Sequence, residues 1–174
     1  MRRFLLALIM TSEQMWIGGE WCDAEDGATA DIINPATTEV MATTPMATLS
    51  DVERCVAASK QALHSKEWGA MDPAQRGRVL QKMAAATYAN AKSLAAIESN
   101  NNGKTFREAL SEIRYGAWTL EYFAGLSDKI EGSTIPVPGN RLNYTLRQPL
   151  GVTAHIVPWN FPLQLAIRSI APAL

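Results

Sequence analysis

Cysteine is scarce in this chain: Cys22 and Cys55 are the only two in 174 residues. Two thiols in a chain of this length make no disulfide framework, so a reducing, cytoplasmic setting is the expectation. Histidine is equally scarce, and neither His64 nor His155 has Cys or His neighbours at metal-ligand spacing. Both read as structural or surface residues rather than bases or ligands. An excess of one charge is missing as well. Sixteen Lys and Arg face 17 Asp and Glu, and no basic run follows Arg2-Arg3. Nucleic acid and an anionic membrane surface are therefore not expected partners. Long apolar runs are absent too. Phe4–Met10 is seven residues, too short to span a bilayer. It begins like a signal peptide, but no small-x-small cleavage site follows, and Thr11-Ser12-Glu13-Gln14 is polar. Residues 1–14 read as a tail outside the fold. There is no internal repeat and no low-complexity segment.

What is present is globular in character. Hydrophobic residues make up 47% and charged residues 19%, enough for one modest domain, or one domain and part of another. Met15-Trp16-Ile17-Gly18-Gly19-Glu20-Trp21-Cys22 reads as a hairpin, with the glycine pair supplying positive φ between aromatic-bearing arms. Ala30–Asn34 reads as a strand stopped by Pro35. A first helix is expected after Thr48 or Ser50, with Thr48/Asp51 and Ser50/Glu53 both at capping-box spacing. Its inner face would be Val52, Cys55, Val56, Ala62 and Leu63. A second helix opens at Asp72-Pro73-Ala74-Gln75, an N-cap followed by proline at N1. Val79, Leu80, Met83 and Thr87 continue its inner face. A third covers Ala91 to about Asn100 and stops at Gly103. A fourth begins near Thr105, with an apolar stripe through Phe106, Ala109, Ile113, Ala117, Leu120 and Ala124.

The period then changes. Thr134–Asn140 reads as a strand with a Pro/Gly turn, and Leu142, Tyr144 and Leu146 alternate with polar residues as a half-exposed antiparallel strand. Pro149-Leu150-Gly151 is a linker. Val152–Val157 reads as a buried parallel strand, Pro158–Phe161 as a loop, and Pro162–Leu174 as the helix after it. This order predicts an α/β fold. Residues 15–133 supply a hairpin and a helical layer, 134–150 a second hairpin, and 151–174 the start of a sheet domain. A parallel strand cannot bury both faces without neighbours, and this chain supplies none for Val152–Val157. The pattern therefore reads as a truncated domain.

Gly151-Val152-Thr153-Ala154-His155-Ile156-Val157-Pro158-Trp159-Asn160-Phe161-Pro162 resembles a segment of the aldehyde dehydrogenase family usually written GVxGxIxPWNFP. Its Pro-Trp-Asn-Phe-Pro core is specific, because these residue types rarely fall together. Further similarities run in family order: Ile17–Trp21, Ile33–Ala36, Asn102-Gly103-Lys104, Tyr122–Gly125, Arg147–Gly151 and Ala171–Leu174. The resemblance covers Met15–Leu174. It implies an aldehyde dehydrogenase-like fold, with an N-terminal helical layer, an antiparallel oligomerisation hairpin and the first strand-loop-helix of an incomplete Rossmann-type domain.

It also implies a chemistry. The whole family oxidises an aldehyde to a carboxylic acid with NAD or NADP through a cysteine thioester. Asn160 would be the catalytic asparagine, and Ile156, Val157, Pro158 and Trp159 would line the cofactor groove near the nicotinamide end. An amide N–H aimed at the tetrahedral oxyanion stabilises developing charge without adding a titrating group. The family's nucleophilic cysteine, general-base glutamate and cofactor-binding lysine lie beyond Leu174, so the 174 residues are expected to be inactive alone. Relatives bind NAD or NADP without a G-x-G-x-x-G fingerprint, and none occurs here.

Cys22 and Cys55 have no His or Lys placed to activate them, and Cys55 reads as a buried helix-face thiol. Glu98 and Glu121 read as solvated or capping carboxylates. Backbone carbonyls near Ile32-Ile33, with an Asp where this chain has Asn101, hold a monovalent cation in some relatives. The neutral Asn101 amide makes such a site weak. The run after Phe161 slightly favours a betaine- or amino-aldehyde substrate. Through the 134–147 hairpin the chain is expected to form a homo- or hetero-oligomer. A different reading makes the chain a non-catalytic interaction module that pairs with a full-length homologue through the same hairpin.

Overall fold

The computed structural model describes residues 11–174, so the signal-like stretch within 1–10 lies outside the described residues. Five short strands come first: β1 (Thr11–Ser12), β2 (Met15–Ile17), β3 (Glu20–Cys22), β4 (Thr29–Ile33) and β5 (Val40–Pro45). Five helices follow: α1 (Leu49–Leu63), α2 (Pro73–Ala89), α3 (Ala91–Asn102), α4 (Phe106–Leu126) and α5 (Pro162–Ala173). No helix among the described residues is long and apolar enough to cross a membrane.

β2 and β3 form the expected hairpin. Gly18 and Gly19 hold φ of 64° and 93° at its turn, a pair of values that favours glycine. Trp16 and Trp21 face each other across it, ring centroids 4.8 Å apart. The second sheet has the order β1-β5-β4. β5 pairs antiparallel with β4 and parallel with β1, through Thr11↔Ala42 and Ser12↔Thr43. Glu13 N–H also donates to Thr43 O at 2.9 Å. Residues 11–13, read from the sequence as part of a tail, thus pair through their backbone with β5.

α4 is the hub of the helical layer and packs against α2, α3 and α5. One core cluster joins Leu80 and Ala84 of α2, Leu120 and Ala124 of α4, and Ile167 and Ala171 of α5. A second joins Ala91 and Ala95 of α3 with Ala109 and Ile113 of α4. Leu163, in the first turn of α5, packs against both. Small residues set the close crossings. A Cβ on Gly77 would lie 2.7 Å from the Ala124 carbonyl oxygen, and one on Gly116 would lie 2.9 Å from Ile167 Cδ1.

Capping explains where the helices start. Thr48/Asp51, Asp72/Gln75 and Thr105/Glu108 are complete capping boxes. α3 ends on Gly103 in the left-handed region, φ 81°. α1 departs from its expectation. Val52, Cys55 and Val56 are exposed, and Asp51 is its one buried residue among those described. The apolar face predicted for α1 is real in sequence but uncovered here.

The later segments are also less regular than expected. Arms 133–135 and 143–145 meet through a single antiparallel bridge, Thr134↔Tyr144. Ile135 N–H donates to Asn143 O and Thr145 N–H to Ser133 O, both at 2.9 Å. Residues 152–157 carry no ladder, and Ile156 is 99% exposed where a buried strand was expected. No strand lies beside them among the described residues, and without one there is no ladder to join.

Candidate functional site

The loop from Pro158 to Phe161 is fixed from both sides. On one side α5 begins at once, with Pro162 in its first turn and Leu163 seated in both core clusters. On the other stands the α3–α4 junction. α3 stops at Gly103, and Asn102 Oδ1 accepts from the Lys104 N–H at 3.0 Å, turning the chain toward the Thr105 cap of α4. Ser99 Oγ closes the turn by donating to Lys104 O at 2.7 Å.

This places the Lys104 ammonium in a nearly closed space, with its side chain 13% exposed. It donates to Glu98 Oε1 of α3 at 2.9 Å, to the Glu112 carboxylate of α4, and to the Asn160 main-chain oxygen at 2.7 Å. Three acceptors match the three N–H donors of an ammonium. The Phe161 ring lies 4.5 Å from Nζ, within cation–π range. Asn102 Nδ2 makes a longer contact to the same Asn160 oxygen, 3.4 Å.

The electrostatics follow from this geometry. Burial opposes the Lys104 charge, but the Glu112 and Glu98 carboxylates outweigh it and hold the ammonium above the ordinary lysine value. Burial raises the Glu112 carboxyl. Lys104 opposes that rise, and the neighbouring Glu98 adds to it.

Asn160 is therefore held by its main chain. Its side-chain amide is exposed and makes no hydrogen bond to the described residues. Beside it, Trp159 is 80% and Ile156 99% exposed, and Val157 is 36% exposed. Pro158 is exposed too. Together they make a strip of apolar and aromatic surface next to a free amide. A flat heteroaromatic ring could pack on this strip, and the strip supplies one wall only.

The aldehyde dehydrogenase family model matches residues 21–174. The chain belongs to the aldehyde dehydrogenase family. Hydroxyisobutyraldehyde dehydrogenase of Mycolicibacterium austroafricanum is 43% identical over 164 residues, covering 94% of this chain and 32% of the relative. Mitochondrial 10-formyltetrahydrofolate dehydrogenase of Homo sapiens is 42% identical, with 91% and 18% covered. Among solved structures, an aldehyde dehydrogenase from Bacillus cereus superimposes with a TM-score of 0.90 at 36% identity, covering 93% of this chain and 33% of that one. A betaine aldehyde dehydrogenase from Staphylococcus aureus, solved with NAD+, gives 0.87 at 35% identity, with 92% and 33% covered. The chain spans about a third of the length of the hydroxyisobutyraldehyde enzyme. Those names cover several substrates, so what is shared with them is the scaffold.

The other sequence candidates fall elsewhere. Cys22 is half-buried on β3 and Cys55 exposed on α1. His64 is exposed, and His155 pairs with Thr153 Oγ1 at 2.9 Å. Ile32 and Ile33 sit at the bulge between β4 and β5, and Asn101 is exposed in the last turn of α3. The two segments do approach: a Cβ on Gly103 would lie 3.0 Å from Pro35 Cγ. No cluster of three His, Cys, Asp or Glu occurs among the described residues. Glu121 is exposed, as expected of a solvated carboxylate. Glu98 is not: it is 5% exposed and paired with Lys104. Its place was signalled, since it continues the buried face of Ala91 and Ala95 at helical spacing.

Proposed function

We propose that this chain is the N-terminal part of an NAD(P)-dependent aldehyde oxidoreductase, and that Asn160 is its oxyanion donor. The observation that carries the reading is the pairing of a fixed main chain at Asn160 with a side-chain amide free to donate. Such an amide, aimed at a carbonyl oxygen as it gains charge, lowers the barrier without exchanging a proton. Ile156, Val157, Pro158 and Trp159 form one wall of the cofactor groove, where the bound nicotinamide supplies hydride acceptance. These residues would pack against one face of the ring and orient it.

The 174 residues do not turn over by themselves on this reading, because Cys22 belongs to β3 and Cys55 to the exposed face of α1, and neither has a His or Lys placed to activate it. The purified chain, mixed with an aliphatic aldehyde and NAD+ or NADP+, is expected to give no NADH or NADPH. A signal that depends on aldehyde and disappears in Asn160→Ala would overturn this part of the proposal. The Ile32, Ile33 and Asn101 region is a weak monovalent cation site at most, because a neutral amide offers a cation less than a carboxylate.

A second reading concerns partners. Leu142, Tyr144 and Leu146 are 75%, 56% and 70% exposed on an arm held by a single bridge. An open edge with apolar side chains accepts another strand. This arm pairs with a second copy or a full-length homologue in the cytoplasm. Co-expression with such a homologue is expected to give a mixed oligomer, and a chain that elutes alone and compact would remove the basis for it.

A further inference from the structure

Asn160 has no side-chain anchor among the described residues, so what holds its amide in place is the backbone that sets its Cα–Cβ bond. We propose that Lys104 is the positioning residue for that amide: clamped between Glu98 and Glu112, it fixes the Asn160 carbonyl and so sets the place and direction of the Cα–Cβ bond that carries the amide. The inference rests on the reading of Asn160 as an oxyanion donor.

Three features carry it. The first is saturation. All three ammonium donors are taken, and one of them is spent on a main-chain carbonyl of the loop rather than on a third side chain. The second is rigidity. Glu98 comes from α3 and Glu112 from α4, so the ammonium is held by two helices that themselves share a core cluster. A lysine held by one carboxylate could swing on its four-carbon stem, but one held by two is fixed in place. The third is position. The Phe161 ring packs under the ammonium, and Leu163 locks the first turn of α5. The carbonyl of residue 160 is thus held between the Lys104 contact and the start of a helix. Fixing that carbonyl restricts the two dihedrals beside it, and with them the Cα–Cβ vector of Asn160. An oxyanion donor must hold its geometry before the charge develops, and an error of about 1 Å is enough to lose rate.

Chain labelled with nitrogen-15 provides the test, with the Asn160 signals identified by their loss in Asn160→Ala. In Lys104→Met, the Asn160 side-chain amide pair and the Phe161 N–H are expected to shift or broaden to loss, while the signals of α2 stay in place. Ile113→Ala is the control. It weakens the same cluster, and its effect on the Asn160 amide is expected to be several-fold smaller. Equal displacement in the two variants, or an unmoved Asn160 amide in Lys104→Met, would overturn the proposal. Should Lys104→Met lose its helical circular dichroism, Lys104→Arg replaces it. The planar guanidinium keeps the charge but changes the donor geometry, so the Asn160 signals should move while the fold stays, and unmoved signals again count against the proposal. None of these readouts depends on turnover, so failure of the oxyanion reading, which is seen in kinetics, is distinguished from failure of this one.

Discussion

Asp51 shows how much one side chain can be made to do. Its carboxylate accepts from Thr48 N–H at 2.8 Å, Thr48 Oγ1 at 2.9 Å and Glu25 N–H at 3.2 Å, and it pairs with Arg54. These bonds, the Thr48 backbone contact first and Arg54 next, hold its carboxyl well below the usual carboxylate range. The sign is that of a depressed acid. Its contribution is fully present above the unfolded value near pH 4 and is lost as pH falls toward the folded value. Urea midpoints measured between pH 5 and pH 2 should therefore drop more steeply for the native chain than for Asp51→Asn; parallel curves would contradict this. At the same scale, Asn160 was legible from its neighbours in sequence, because Pro, Trp, Phe and Pro around it form a rare word. Its anchor was not. Glu98 and Lys104 are six residues apart and Glu112 eight further on, and only the turn at Gly103 brings all three to one point.

Elements announced themselves wherever a local hydrogen bond decides the boundary. The three capping boxes and the Gly103 stop each need only four or five consecutive residues, so they can be read directly. β5 could not be read that way. Val40-Met41-Ala42-Thr43-Thr44-Pro45 has no clean alternation, and only Ala42 is buried; the strand exists because β4 and β1 pair with it. The exposed face of α1 and the missing ladder at 152–157 have the same origin, since a face or a strand is completed by its neighbours. Helix crossings give an element-scale prediction. In an open helix, Gly→Ala stabilises by about 1 kcal/mol. At Gly77 the new Cβ meets the Ala124 backbone oxygen at 2.7 Å, which a side-chain rotation cannot relieve. Gly77→Ala should instead destabilise by about 1–3 kcal/mol in urea unfolding, as overpacking does. A gain in stability would show that α2 and α4 do not cross this closely.

At the scale of the whole molecule, two parts behave differently. The helical layer is built around α4, and α5 belongs to it through Ile167 and Ala171. The segment from about 130 to 161 lies outside that core and leaves Ile130, Leu142, Leu146, Leu150, Ile156 and Trp159 exposed. The candidate site lies on the border between them, with its amide on the open side and its anchor on the helical side. The central claim is that this border presents a working oxyanion donor, and it can be measured by building residues 15–174 into hydroxyisobutyraldehyde dehydrogenase in place of the matching third. With hydroxyisobutyraldehyde and whichever of NAD+ and NADP+ the parent enzyme uses, Asn160→Ala in that chimera should lower kcat by about 10²–10³ with little change in the KM for the nucleotide. An Asn160→Ala chimera that keeps its kcat would contradict the account.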